Sequence, residues 1–126
     1  MDKIIQEWFI KAQSDLKEAE FLLRHNRSLE NVAFFIHQAA EKYLKAFLIK
    51  HGWELEKIHD LEKLVKECVK MDKSFSKFAE PLRKITRFYF ESRYPMGYEV
   101  KYSKEEIKDA LNEIKKLTKL IKEKIK

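Results

Sequence analysis

The stretch 33–48, AFFIHQAAEKYLKAFL, decides how this chain must be read. Set on a helix at about 100° per residue, His37, Gln38, Glu41, Lys42 and Lys45 fall within an arc of roughly 140°. Val32, Phe35, Ile36, Ala39, Ala40, Tyr43 and Phe47 fill most of the opposite arc. An apolar side that broad must be covered by more than one neighbour. The strip of donors, acceptors and cations on the other side makes the same helix a candidate wall of a site.

Working outward, helical periodicity continues on both sides. Residues from about Asp2 to Arg24 place Ile5, Trp8, Phe9, Ala12, Leu16, Ala19 and Leu23 three and four apart. Asn26 reads as a left-handed stop, and Ser28 can cap the second helix, which runs to about Lys50 and ends at His51-Gly52. A third helix is predicted from about Asp60 to Met71, with His59 or Asp60 at its start. A fourth is predicted from Ser74 or Ser76 to Ser92, its beginning blurred by Pro81. Arg93-Tyr94-Pro95-Met96-Gly97-Tyr98 reads as a turn or loop. Ser103-Lys104-Glu105-Glu106 is a capping-box signal for a last helix, whose Ile107, Ala110, Leu111, Ile114, Leu117, Ile121 and Ile125 form one narrow stripe.

Composition agrees with that pattern. The 126 residues include only two glycines and two prolines, too little punctuation for a β-rich fold. The expectation is one all-α domain over residues 1–126, an up-down antiparallel bundle of four to five helices with short connections. No apolar run reaches the length of a membrane span, and the start, MDKIIQEWF, carries acids and lacks a cleavable apolar region, so no signal peptide is expected. Cys68 is the single cysteine, so a cytoplasmic location without disulfides is expected. Beside Val65 and Val69 it reads as a buried, inert thiol.

Net charge is +6, with a pI near 9.3. That permits a nucleotide or nucleic-acid partner without requiring one. Residues 101–126 hold nine lysines and five acids. The four histidines, His25, His37, His51 and His59, are scattered; His37 and Glu41 read as a surface i,i+4 pair, and no metal site or cofactor is expected. Arginine is used more selectively. Five of the 27 basic residues are arginine, and Arg83, Arg87 and Arg93 fall within eleven positions, among Phe88, Tyr89, Phe90, Tyr94 and Tyr98. Guanidinium groups beside stackable rings suit a phosphate and a base. An equal alternative places Phe88 and Tyr89 in the core and pairs the arginines with Glu80 and Glu91.

Four short patterns occur in order along the chain: Trp8-x3-Ala12-x2-Asp15-Leu16-x2-Ala19, His37-Gln38-Ala39-Ala40-Glu41-Lys42 with Lys45-Ala46, His59-Asp60-Leu61, and Arg93-Tyr94-Pro95. Together they resemble the prokaryotic HEPN domain family over nearly the whole length. The resemblance implies an all-α bundle with four long helices and an extra short segment, and a tendency to form homodimers. It also implies association with a minimal nucleotidyltransferase and a nucleotide- or substrate-binding role. Other branches of the family are metal-independent ribonucleases and toxins, marked by an Arg and, four to six residues later, a His. Here Arg93 holds the arginine position, but no histidine follows it, and none occurs after His59. A ribonuclease needs a proton shuttle near neutral pH, and Tyr98, with an ordinary pKa near 10, is a poor substitute.

The sequence therefore favours a homodimeric, non-catalytic binding module over a ribonuclease of toxin–antitoxin type or a purely structural protein. Its partners would be a nucleotide, RNA or a nucleotidyltransferase, not a membrane. The candidate ligand-binding residues are His37, Gln38, Glu41, Lys45, Arg83, Arg87, Arg93 and Tyr94, with His59, Asp60 and Tyr98 secondary.

Overall fold

The computed structural model describes residues 2–91 and 102–126, with the backbone alone at 89–91. Arg93, Tyr94 and Tyr98 lie outside the described residues. The described chain forms five α-helices: α1 Lys3–Arg24, α2 Leu29–Lys50, α3 Leu61–Met71, α4 Ala79–Glu91 and α5 Lys104–Lys124. A 3-10 segment, Lys73–Phe78, precedes α4.

Local chemistry sets the boundaries. Asp2 caps α1 through its carboxylate and Ser28 caps α2 through its hydroxyl. Between them Asn26 takes a positive φ of 55°, and the Arg27 amide donates to the Leu22 carbonyl at 2.9 Å. This left-handed stop turns the chain so that α2 returns along α1. Gly52, at φ 89°, does the same after α2, where the Trp53 amide donates to the Leu48 carbonyl.

The fourth helix begins later than its periodicity suggests. Asp72 is extended and its carboxylate accepts from the Ser74 amide and hydroxyl, which starts the 3-10 segment instead. Phe75 and Phe78 anchor that segment in the core. Pro81 then falls in the first turn of α4, where amides lack an intrahelical acceptor and a missing N–H costs little.

The core surrounds α2. Val32, Ala33, Ile36, Ala39, Ala40, Tyr43, Leu44, Ala46, Phe47 and Leu48 are all fully buried, and α1, α3, α4 and α5 each pack against this helix. Ala12 and Ala19 on α1 and Ala33, Ala39, Ala40 and Ala46 on α2 are fully buried, and α1 packs along α2. The Phe9 and Tyr43 rings meet edge-on, 5.4 Å between centroids. At the far end Phe47 packs on Phe75 at 4.4 Å. Among the described residues no helix is long and apolar enough to cross a membrane.

Candidate functional site

The polar strip of α2 is not a solvated face. His37 is fully buried, and Glu41 and Lys45 are only 6% and 4% exposed. The surface pair expected of His37 and Glu41 is therefore corrected: α1 and the segment leading into α3 close over the polar side of α2 as other helices close over its apolar side. Charges sealed in this way must be satisfied by protein groups.

Glu41 supplies most of that satisfaction. One carboxylate oxygen lies 3.0 Å from Lys45 Nζ, a bond favoured by the i,i+4 spacing. The other lies 3.0 Å from His59 Nδ1. A carboxylate facing Nδ1 favours the tautomer that carries its proton there and donates to Glu41. Lys45 Nζ also sits 5.9 Å from the centre of the Trp8 ring, a cation–π contact from α1. One turn away, Lys42 pairs with Asp15 and links α2 to α1 again. His59 is the member of the Glu41–Lys45–His59 group that reaches solvent, its side chain 45% exposed.

His37 lies beside this group. Burial lowers its pKa from 6.5 to about 4, outweighing the opposing pull of Glu41, of Gln38 and of the His59 backbone. The imidazole is neutral at physiological pH and sealed from solvent, which removes it as a proton shuttle.

Asp60 and Leu61 divide the work of starting α3, while His59 turns to Glu41. The Asp60 carboxylate accepts from the Glu62 amide at 2.9 Å as the helix cap. Leu61 is fully buried, and its amide donates to the Thr86 hydroxyl of α4 at 3.1 Å. Thr86 carried no signal in the sequence, because nothing in a helix register announces a hydroxyl that will cap a distant amide.

Arg83 and Arg87, though four apart on α4, turn to different partners. Arg83 pairs with Glu80, with Nε 3.1 Å from the carboxylate, and is more than half exposed. This pair holds the Glu80 carboxyl below its ordinary pKa. Arg87 Nη2 lies 3.0 Å from Glu106 of α5, a partner the sequence did not suggest. The Glu91 side chain, the partner suggested along the same helix, lies outside the described residues. Arg87 and Phe88 line a hollow of about 630 Å³ between α4 and α5, rimmed by Glu105, Glu106, Asp109 and Glu113. The α2 strip and the two arginines thus occupy separate surroundings. Among the described residues, no three His, Cys, Asp or Glu side chains converge as a metal site requires.

The described residues form a five-helix bundle around a central helix that carries a buried Glu–Lys pair joined by a histidine. The HEPN domain family model matches residues 5–125, and the chain belongs to that family. The crystal structure of TT1696 from Thermus thermophilus is 23% identical, covers 98% of this chain and 99% of its own, and superposes at a TM-score of 0.80. ST0689, described as an archaeal HEPN homologue, is also 23% identical, covers 100% of both chains and superposes at 0.77. Likeness at that identity speaks for the fold alone. No curated protein matches the sequence.

Proposed function

We propose that this HEPN domain is a non-catalytic binding module that works as a homodimer and holds a phosphate-bearing ligand of nucleotide type where His59 emerges. The observation that carries this reading is the buried Glu41–Lys45 pair with its half-exposed imidazole. Two charges sealed between helices are often less stabilising than an apolar pair of similar volume, so their presence asks for a role beyond packing. Lys45 and Glu41 position the ring, His59 meets the ligand, and Gln38, partly exposed on the same helix, is a neighbouring donor. Arg93 and Tyr94 join the reading from their place in the sequence pattern. The sealed, neutral His37 and the lack of any histidine beyond His59 speak against the ribonuclease chemistry of other branches.

Calorimetric titration with purine mono-, di- and triphosphates tests this. Saturable binding is expected, weakened about tenfold in His59→Ala and in Arg93→Ala with melting temperatures nearly unchanged. A wild-type protein that binds no nucleotide at millimolar concentration overturns the reading. So does metal-independent RNA cleavage that disappears in Arg93→Ala.

A further inference from the structure

The exposed lysines of α5 are not scattered. At about 100° per residue, Lys104, Lys108, Lys115, Lys119 and Lys122 fall within an arc of about 60°, and every residue of α5 in that arc is lysine. All five are exposed. From Lys104 to Lys122 they run about 27 Å along the helix. The acids Glu105, Glu106, Asp109 and Glu113 lie on another side, toward α4. A helix decorated only for solubility would intersperse the two signs.

Tertiary packing extends the row. Lys115 Nζ is 3.8 Å from Glu20, and Lys104 Nζ is 3.3 Å from the side-chain oxygen of Asn26, so the end of α1 runs antiparallel beside it. Arg24, Lys104 and Lys108 line one hollow of about 340 Å³. Arg24 also borders a second hollow on α1 that contains Lys17 and Phe21. The Phe21 ring is 47% exposed and packs on His25 with centroids 4.3 Å apart. The edge therefore gathers seven cations against Glu18 and Glu20, with an exposed ring alongside.

We propose that this α1–α5 edge is a track for single-stranded nucleic acid, with the lysine row following the phosphates and Phe21 stacking on an unpaired base. A line of cations one side chain wide fits a linear polyanion, whereas an anionic bilayer would engage a broad face. The exposed ring favours a single strand, because bases in a duplex are already stacked on one another. The lysine row lies outside the residues proposed to meet a nucleotide at His59, and the track stands independently of that reading.

Fluorescence anisotropy with a labelled mixed-sequence RNA of about 20 nucleotides tests the track. Five phosphate contacts give a slope of log affinity against log salt of about −3.5 for a single strand. The triple variant Lys108→Ala/Lys119→Ala/Lys122→Ala is expected to weaken binding at least tenfold at about 0.1 M salt and to flatten the slope by about 2. Lys63→Ala/Lys66→Ala/Lys70→Ala on α3 removes the same charge and is expected to change neither. Phe21→Ala is expected to weaken single-strand binding about tenfold and to leave duplex binding unchanged. Equal losses in the two triple variants would mean that net charge alone drives association, which overturns the proposal. Absence of binding, or tighter binding to phosphatidylserine vesicles through the same lysines, overturns it as well.

Discussion

Acid is expected to unload this fold through His37. In the native state the ring titrates at about 4, against 6.5 when free, because burial disfavours the imidazolium. Between those values the unfolded chain binds a proton that the native chain does not, so stability falls as pH falls. The contribution is nearly complete at pH 7 and is lost progressively down to about pH 4. A gap of about 2.5 pH units corresponds to about 3 kcal/mol, of which about 2 kcal/mol is lost by pH 5. The assay is urea unfolding of the wild type and of His37→Gln at pH 7, 6, 5 and 4, with His37→Phe as a second non-titrating variant. Groups remote from residue 37 titrate alike in each protein and cancel in the difference. The wild type is expected to lose about 3 kcal/mol more than the variants across the range. Parallel profiles would show that His37 is not desolvated in the native state and would refute the reasoning.

Further expectations concern the neighbouring groups. Glu41→Ala leaves the Lys45 ammonium buried without its carboxylate, which should cost about 3–5 kcal/mol by urea unfolding. In Glu41→Met/Lys45→Met most of that loss should be recovered, since an apolar pair needs no counter-charge. Asp60→Ala removes the α3 cap and should lower stability by about 1 kcal/mol without changing the denaturant dependence. Cys68 is fully buried and its thiol pKa is pushed up by burial, so a thiol-specific dye should label it only as fast as the protein opens.

The motifs read from the sequence sort themselves by physical role once folded. Ala12, Leu16, Ala19, Ala39 and Ala40 are buried packing residues on α1 and α2, and their spacing made that legible in advance. Asn26, Ser28, Asp60 and Ser103 act through their own neighbours, so their turns and caps were legible too. His37, Glu41 and Lys45 were legible as a strip but not as a buried one. A helical wheel shows which residues share an arc and not which other helices close over it. The partners of Arg83 and Arg87 divided on the same ground. Glu80 lies three residues from Arg83, within reach along one helix, whereas Glu106 meets Arg87 only because α5 packs beside α4.

What residues 33–48 determined unaided is that a helix forms there, that it is apolar on most sides, and that one side is charged. Periodicity and local hydrogen bonding suffice for that, because both act within a turn or two of chain. Whether the charged side faces water was decided by α1 and by the approach to α3, which arrive from distant parts of the sequence. Their closure turns a surface pair into a sealed one, lowers the His37 pKa to about 4 and leaves His59 as the exposed end of the Glu41–Lys45–His59 group. Desolvation depends on everything that surrounds a group, so only the tertiary structure could set it.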